Sequence, residues 1–560
     1  MFQPQKASQT DPTRSLGARW QQSSLLLSLV ILGVVGVVLT LYASRWGPWA
    51  FSDGVGYLVT ARNFVLGKGF GLYRPSGAFI PTVTHPPLFP FLVAVLTKIT
   101  GEVLVGSRIL GALLFSAFIV IIPLLFRRLV GLGALAIMLG VWLITHPAVI
   151  LMFLAAMSEP LFVLVGTAGL LCTCLYLLDR RPIFLAASCG LVALAMLTRY
   201  VGLAYVTTGA LALLILDRRG TWQFRLSRSA VYSAAGLAPS LIFLAYWNQT
   251  PFARTVRGFA LPTSIGESLS LFINRAGSSL WSWKPVPTPA VLATVLQSPD
   301  KRMALVLILV FLLLAAIIIA RWLHLELAVD AANQDRHALA GTALLLKTFS
   351  LFVIVFSGAM LVAFTFSSPT PDIDPRTLFP LLPSVMIILL GVIKSALATR
   401  PQSRSLHWLA VGLLIMFAIG SAPAGLDIVT GLNRTGLGFT AKAWHESETM
   451  EFVDGLNPQA ILVSNSPEAI MLYTGRSAYQ LPFAEDQSPS SQVSSSRTIL
   501  SSIDRIICDE GGTLVFFDRA LDGIDARVSP EMALESLACE PVAVFQSADG
   551  QIYRLEDTLN

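Results

Sequence analysis

Long uncharged apolar stretches alternate with short polar connections along most of this 560-residue chain. The first stretch, residues 25–44, has no charged side chain and provides the roughly 20 residues that a helix needs to cross a bilayer core. Ten further stretches are uncharged or nearly so. The pattern predicts an all-α polytopic membrane protein with about eleven transmembrane helices, at 25–44, 109–126, 129–145, 149–178, 182–197, 200–216, 230–247, 303–320, 348–366, 377–393 and 408–426.

Basic residues cluster at alternate connections between these stretches, which predicts an orientation. Lysine and arginine accumulate in short cytoplasmic loops, so the connections that hold Arg127, Arg180, Arg218 and Lys394 are assigned to the cytoplasm. The N-terminal segment, residues 1–24, then lies on the same side and precedes an uncleaved first span, because it lacks a small-residue cleavage site. An odd number of spans places the C-terminal tail on the outer face.

Two predicted outer loops, residues 45–108 and 248–302, are long and rich in cations. In the first loop, residues 57–65 place apolar side chains on one face of a helix that is too short and too polar to span, so it is expected to lie along the membrane surface. The apolar run 88–96 is also short and contains Pro90, which indicates a second interfacial helix. An anionic lipid head group would explain cationic outer loops, and simple solvation is the alternative.

The polar tail from about residue 440 has a different pattern. "AILVSN" and "TLVFFD" are typical of short strands, "SPEMALESLA" of a helix that opens on a serine cap, and "VAVFQSADGQIYRL" of a hairpin that turns at Asp-Gly. The transmembrane region 25–426 is therefore expected to be followed by a small extracytoplasmic α/β domain at 427–560. Cys508 and Cys539 would form a disulfide if this tail faces an oxidising compartment, and would otherwise stay reduced.

Composition agrees with the membrane assignment. The chain is 54% hydrophobic and 13% charged, with a mean hydropathy of +0.69, whereas soluble domains carry about a quarter charged residues. Many of the basic residues behind the net charge of +6 stand at span ends. The charge therefore gives little reason to expect a nucleic-acid partner, and the bilayer is the expected one.

Asp53 and His85 are the first candidates for chemistry. Asp53 stands at the start of the predicted interfacial helix, in "FSDGVGY", where it would act either as a helix cap or as a general base beside a lipid head group. His85 stands in "THPPLFP", where two prolines hold it extended near the interface. A structural role is the alternative for this histidine.

Three more ionisable residues stand in or beside the apolar stretches. Glu159, in "MSEPLF", is the one carboxylate within the eleven stretches, and an unpaired buried charge is expensive, which favours a functional role. Arg199, in "LTRY", and Arg376, in "DIDPRTLFPLLP", would bind a lipid phosphate through forked hydrogen bonds or would simply end their helices at the interface. Asp372 and Asp374 stand between prolines and match a metal-binding Asp-x-Asp motif poorly.

Taken together, these motifs resemble those of the membrane glycosyltransferases with the GT-C fold, a group that includes protein O-mannosyltransferases and bacterial aminoarabinose transferases. The resemblance covers most of the chain. It consists of one span, an outer loop with an acid followed by "YLVTARNFVLGKGF" and "THPPLFP", then "MSEP", "LTRYVGL" and "DPRTLFPLLP", and an outer α/β tail.

The resemblance implies a role for each candidate residue. Asp53 matches the first-loop acid that acts as catalytic base, and Glu159 matches an acidic position that orients acceptor or donor. The implied substrate-binding residues are Tyr57, Arg62, His85, Arg199 and Arg376. The chain departs from many relatives in having a single first-loop acid, followed by Gly54, and Arg376-Thr377 where they have Arg-Tyr; these departures leave the sugar and the acceptor open.

The implied reaction is a single displacement on the outer face of a bacterial plasma membrane. A sugar would pass from a polyprenyl-phosphate donor to a hydroxyl of a protein, lipid or polysaccharide acceptor, with no cofactor; a divalent metal ion is left open. A multi-pass transporter is the alternative, although the spans are nearly free of the ionisable groups that transporters place at the midplane. A membrane scaffold with an outer binding domain is a third possibility.

Overall fold

The structure is a computed structural model that describes residues 12–82, 85–217, 219–247, 258–259, 261–262, 264–283, 333–368, 370–399, 404–481, 502–518 and 530–556. The named helices are α1 Pro12–Ala43, α2 Ser52–Val65, α3 Leu88–Thr100, α4 Val103–Val130, α5 Gly133–Thr145, α6 Pro147–Phe153, α7 Glu159–Asp179, α8 Pro182–Thr198, the 3₁₀ helix Tyr200–Gly202, α9 Leu203–Ile215, α10 Trp222–Trp247, α11 Ile265–Ser282, α12 Asn333–Phe366, α13 Leu381–Thr399, α14 Arg404–Thr435, α15 Lys442–His445, α16 Glu448–Asp454, α17 Pro467–Thr474 and α18 Pro530–Glu535. The strands are β1 Gly71–Tyr73, β2 Phe79–Pro81, β3 Gly258–Phe259, β4 Ser367–Ser368, β5 Leu462–Ser464, β6 Tyr479–Gln480, β7 Thr513–Phe517, β8 Val542–Ser547 and β9 Gly550–Arg554.

Within the described residues, six helices are long and apolar enough to cross a membrane, which makes the chain a multi-pass membrane protein. A seventh span is obtained if α5 and α6, which meet at 67°, are counted as one bent span. The bend has a local cause: Pro147 begins α6, and a residue before proline avoids helical backbone, so His146 is extended. The six helices are Ser23–Ala43, Val103–Val130, Glu159–Asp179, Trp222–Tyr246, Arg336–Phe366 and Leu381–Ala398.

The prediction of one continuous helix at residues 149–178 is wrong. Residues 154–158 separate α6 from α7. The Trp49 amide donates to the Leu154 carbonyl over 3.1 Å, and the Ala156 amide donates to the Trp49 carbonyl over 2.9 Å. Pro160 stands in the first turn of α7, where its fixed backbone angle suits the start of a helix better than its interior. Glu159 consequently lies at the N-terminal end of the helix that forms this span, not in its middle.

The total of about eleven spans is not confirmed. The predicted segments 182–197 and 200–216 correspond to short helices: α8 has 17 residues, and α9, which follows the 3₁₀ turn, has 13. The segment 303–320 lies outside the described residues. Helices are confirmed in the other predicted segments, including 109–126 in α4, which extends beyond it at both ends.

The connection between α1 and α4 contains α2, the β1–β2 hairpin and α3. α2 has 14 residues and α3 has 13, so both are shorter than a bilayer crossing requires. β1 and β2 pair antiparallel, with Leu72 opposite Ile80. The hairpin is joined to α2, because Asn63 Nδ2 donates to the Gly71 carbonyl over 2.8 Å.

The C-terminal part contains a five-stranded mixed sheet in the order β6–β5–β7–β9–β8. β5 is parallel to β6 and β7, while β7, β9 and β8 are antiparallel. The predicted strands and the Asp-Gly hairpin are confirmed, with Ser547 opposite Gly550 at the turn. The predicted helix is present as α18, although its serine cap lies outside the described residues. Cys508 and Cys539 form a disulfide.

This sheet is packed directly on the helical region. Trp444 is fully buried and its ring contacts those of Phe439 and Phe517, at centroid distances of 5.9 and 5.0 Å. The Phe439 amide also donates to the Ala50 carbonyl over 2.8 Å. One continuous apolar core therefore extends from the long helices into the sheet, and the segment that precedes α2 lies at the junction.

Candidate functional site

The structure brings six of the seven sequence-predicted residues into one cluster where α2, the segment before α3, α7, α8 and the segment before α13 meet. The acids and cations in it are linked by ion pairs, and Tyr57 joins through a hydrogen bond. The six residues are Asp53, Tyr57, His85, Glu159, Arg199 and Arg376. The seventh, Arg62, lies elsewhere.

Asp53 lies in the first turn of α2, with its side chain directed to Arg376 and His85. Its Oδ2 is 2.9 Å from Arg376 Nη1, and its Oδ1 is 3.8 Å from His85 Nε2. The carboxylate is 39% exposed, so it is accessible from outside the cluster. Burial raises the pKa of Asp53, but the charge of protonated His85 and that of Arg376 outweigh burial and hold this pKa below its ordinary value. Asp53 is therefore ionised at neutral pH.

Gly54 permits the close packing of α2 against residues 154–158, the segment that precedes α7. A Cβ at this position would lie 3.0 Å from the Ala156 carbonyl oxygen and 3.1 Å from Ala50 Cβ. Such contacts are tighter than side chains normally accept, so glycine permits the approach. An acidic side chain directly after Asp53 would therefore require the Ala156 backbone to shift.

Glu159 is the buried centre of the cluster. Its side chain is 1% exposed, and its Oε1 lies 2.7 Å from Arg199 Nη1 and 3.5 Å from Arg376 Nε. Two guanidinium groups compensate for the desolvation of this carboxylate. Glu159 in turn holds the two cations near each other, which their mutual repulsion would otherwise oppose.

Ser158 is a site residue that sequence reasoning missed. Its buried Oγ is hydrogen-bonded to the Tyr57 hydroxyl over 3.1 Å and accepts from Arg199 Nη1 over 3.2 Å. It thereby links α2 to the Glu159–Arg199 pair. The available signal was its position directly before Glu159 in "MSEP", but a serine at that place is equally typical of an ordinary helix start.

Arg376 is presented by a turn that Asp374 stabilises. The Thr377 amide donates to Asp374 Oδ1 over 2.6 Å, and the Asp374 amide donates back to Thr377 Oγ1 over 3.0 Å. Asp374 Oδ2 is also 3.7 Å from Arg376 Nε. This aspartate is a turn former beside a cation. Across the described ranges, no group of three or more His, Cys, Asp or Glu side chains is arranged to hold a metal ion.

His85 and Tyr57 form the aromatic side of the cluster. Their ring centroids are 5.0 Å apart, and Tyr57 also meets the ring of Phe89 at 5.3 Å. Burial lowers the pKa of His85, and the nearby Asp53 charge opposes this only partly, so the imidazole is neutral at neutral pH. Burial raises the pKa of Tyr57 to about 12, so its hydroxyl stays protonated.

Arg62 lies at the opposite end of α2 from Asp53. Its Nη1 donates to the Leu472 carbonyl over 2.7 Å and its Nη2 to the Met471 carbonyl over 2.6 Å. The structure therefore directs this guanidinium at the C-terminal region, away from the Asp53 cluster.

In fold, the chain is similar to ArnT from Cupriavidus metallidurans bound to undecaprenyl phosphate, with a TM-score of 0.55 at 14% identity over 94% of this chain and 98% of ArnT. Apo ArnT gives 0.49 at 14% identity over 94% and 97%, and the S. cerevisiae protein O-mannosyltransferase Pmt1-Pmt2 complex bound to the sugar donor gives 0.33 at 16% identity over 44% and 35%. No family model and no curated protein sequence matches the chain. The likeness to ArnT over nearly the whole of both chains confirms the predicted GT-C fold.

Proposed function

We propose that this protein is a membrane glycosyltransferase that moves a sugar from a polyprenyl-phosphate donor to an acceptor hydroxyl, with Asp53 as general base. The observation that carries the proposal is the sharing of one arginine. Arg376 contacts the accessible carboxylate of Asp53 at 2.9 Å and the buried carboxylate of Glu159 at 3.5 Å. A proton acceptor and an anion-binding group are thus held side by side.

The two arginines are suited to a phosphate. The side chains of Arg199 and Arg376 are each about a quarter exposed, so a ligand can contact both guanidinium groups. The buried Glu159 holds them in place from the interior. A guanidinium makes forked hydrogen bonds to phosphate oxygens and stays charged at every relevant pH. They would therefore stabilise the lipid phosphate as it leaves the sugar.

An apolar pocket beside the cluster suits a lipid chain. It has a volume of about 290 Å³ and opens next to the segment that carries His85 and the end of the helix before Arg199. Its walls are aromatic and aliphatic, which fits an isoprenoid better than a nucleotide. The lining residues are Phe70, Pro87, Leu88, Phe91, Leu197 and Phe243.

The proposed step balances as a single displacement. The acceptor oxygen forms a bond to the anomeric carbon and gives its proton to Asp53, while the bond from that carbon to the phosphate oxygen breaks and its electron pair leaves with the lipid phosphate. In the free protein, Arg376 lowers the pKa of Asp53 and so weakens it as a base. A donor phosphate that draws Arg376 toward itself would raise this pKa, so donor binding itself would activate the base.

Tyr57 and Glu159 support this step without a proton transfer of their own. Tyr57 is buried and joined to Ser158, so it fixes the face of α2 that carries Asp53. Glu159 sets the spacing of the arginines. His85, which is neutral and partly exposed, is the group we assign to donate a hydrogen bond to donor or acceptor.

The outer face of the membrane is the proposed location of the reaction. Disulfides persist in oxidising compartments, so the Cys508–Cys539 bond favours a C-terminal region outside the cytoplasm. The cluster lies at the end of the molecule that contacts this region, through the Phe439–Ala50 bond and the Arg62 contacts. Arg180 and Arg219 follow the opposite ends of α7 and α9, which agrees with the positive-inside rule.

The experiment is a transfer assay on the full-length protein in detergent with a polyprenyl-phosphate sugar, followed by chromatography of the lipid products. The wild type should release polyprenyl phosphate, and Asp53→Asn should bind the donor but transfer about 10²–10⁴-fold more slowly. Asp372→Asn is the matched control, because Asp372 is an exposed carboxylate on the loop that carries Arg376. Normal turnover by folded Asp53→Asn would remove Asp53 from the base role, and an intact donor with the wild type would favour a transporter.

A further inference from the structure

The helix that carries Asp53 is attached at both ends to one helix of the C-terminal region, α17. Near the start of α2, Ser52 Oγ donates to Glu468 Oε1 over 3.1 Å. Ten residues later, about 15 Å along the helix, Arg62 donates to the carbonyls of Met471 and Leu472 over 2.6 and 2.7 Å. The two contacts therefore join the start of α2 to the start of α17, and the end of α2 to carbonyls near the end of α17.

The Arg62 contact has the chemistry of a helix C-cap supplied from another helix. The last four carbonyls of a helix lack partners within it, and that end carries partial negative charge. α17 ends at Thr474, and Gly475 follows with a φ of 76°, which only glycine adopts without strain. A Cβ at Gly475 would lie 3.6 Å from Arg62 Nη2, so the turn that ends α17 also packs against the guanidinium.

α17 is itself fixed to the sheet, so the attachment is to a rigid body. The side-chain amide of Asn465, which precedes α17, donates to the Phe517 carbonyl over 2.8 Å and accepts from the Phe517 amide over 3.0 Å. Ile470 and Leu472 on α17 are buried in the apolar core that the helices and the sheet share. A displacement of α17 would therefore require movement of the sheet.

A third bond joins the same region to the hairpin beside α2. Ser477 Oγ donates to the Tyr73 carbonyl on β1 over 2.6 Å. The hairpin is bound back to α2 by the Thr60 and Thr82 hydroxyls, which are 3.0 Å apart, in addition to the Asn63 bond. Both α2 and the hairpin are thus held against the segment that follows β5.

We infer that Arg62 and α17 form a clamp by which the C-terminal region sets the position of Asp53, and that Arg62 is a positioning residue, not a substrate ligand. The catalytic consequence rests on the proposed function. A base must lie within hydrogen-bond reach of the acceptor hydroxyl, and a displacement of about 1 Å can cost about 10²-fold in rate. The C-terminal region is then a working part of the active site, in contrast to an independent binding module.

Three full-length variants test the clamp: Arg62→Ala, Arg62→Lys and, as the matched control, Arg476→Ala. Arg476 also donates to backbone carbonyls, those of Val453, Leu456, Asn457 and Ala460, but all of them belong to the C-terminal region itself. Its loss should weaken that region without releasing α2. Hydrogen exchange of the amides in residues 53–65 reports on the clamp without any substrate, and steady-state kinetics report on its effect.

Arg62→Ala should speed exchange across α2 and lower kcat about 10- to 100-fold, with the donor KM changed less than about threefold. Arg62→Lys should recover part of both losses, because an ammonium can still donate to a carbonyl. Arg476→Ala should lower the unfolding temperature while leaving α2 exchange and kcat per folded molecule unchanged. The clamp would be overturned if α2 of Arg62→Ala exchanged at the wild-type rate, or if Arg62→Ala and Arg476→Ala lost kcat equally. If the wild-type protein transferred no sugar, the proposed function would be wrong, and the exchange rates alone would decide whether the clamp exists.

Discussion

Each end of helix α7 carries a cluster of charged side chains, and the two clusters are similar in composition but differ in how much of them is exposed. At its start, the buried Glu159 contacts Arg199 and Arg376. At its other end, about 30 Å away along 21 residues, the buried Asp217 contacts Arg180 and Arg228. Each cluster places one desolvated carboxylate between two guanidinium groups.

The difference lies in what each cluster leaves accessible. Asp217 is gripped by a forked pair from Arg180, at 2.7 and 2.6 Å, and Arg228 lies over the rings of Tyr176 and Phe224. This cluster fastens α7 to α9 and α10. The Glu159 cluster adds a second carboxylate, Asp53, and an imidazole, both more than a third exposed. A buried carboxylate between two arginines is thus enough to hold helices together. In the proposed mechanism, the chemistry depends on the accessible groups that the Glu159 cluster adds.

The largest expected effect is a crossed result between Asp53→Asn and Asp217→Asn. Asp53→Asn should lower transfer about 10²–10⁴-fold with little change in stability, because a partly exposed carboxylate adds little to the folding free energy. Asp217→Asn should cost about 3–5 kcal/mol in stability, because one partner of a buried pair is removed, while transfer per folded molecule stays near wild type. Thermal unfolding and the transfer assay on both proteins check this, and parallel losses in the two variants would contradict the division of roles.

Glu159→Gln should combine both kinds of loss. A neutral amide would leave Arg199 and Arg376 close together without their shared counter-charge, so we expect transfer to fall on the order of 10²-fold as Arg376 shifts. Glu159→Asp keeps the negative charge on a side chain one methylene shorter. Compared with Glu159→Gln, it should restore stability more fully than it restores transfer. Unfolding midpoints and donor titrations separate the two effects; full transfer by Glu159→Gln would show that the buried charge is not needed for the site.

Sequence patterns predicted the composition of this site better than its geometry. Asp53, Glu159, Arg199 and Arg376 stood out because charge beside apolar segments is costly, and tertiary packing then brought them together. The same reasoning failed at residues 149–178, since hydropathy alone does not distinguish a continuous helix from two helices with a proline start between them.

The contacts of Arg62 could not be predicted from the sequence either. Its sequence context, an interfacial helix with its cations turned outward, fits a lipid head group and a helix C-terminus equally well. The partner that satisfies it comes from about 410 residues later in the chain. Contacts of that range are not encoded in a local pattern, and neither was the link through Ser158.

A smaller effect concerns pH and distinguishes the accessible groups of the Glu159 cluster. The pKa values of Asp53 and His85 are both lowered, so Asp53 stays ionised down to below about pH 3.9 and His85 stays neutral down to below about pH 6.5. Transfer should therefore be flat near neutrality and fall once pH drops through the lowered pKa of His85, where an imidazolium would draw the Asp53 charge to itself. The pH–rate profile of His85→Asn should lack this acid limb, and an unchanged profile would exclude His85 as its source.

The smallest expected effect tests whether the Asp217 cluster depends on one arginine. Arg228 lies 3.4 Å from Asp217 and 3.8 Å from the centre of the Phe224 ring, so Arg228→Lys keeps the charge and loses mainly the stacking, worth about 0.5–1 kcal/mol. Arg180→Lys replaces the forked pair and should cost clearly more, because an ammonium cannot make two parallel bonds to one carboxylate. Denaturant unfolding of the two variants compares them directly. Equal losses of stability would mean that both arginines stabilise the Asp217 cluster to the same extent. The two clusters would then differ only in the exposure of their side chains.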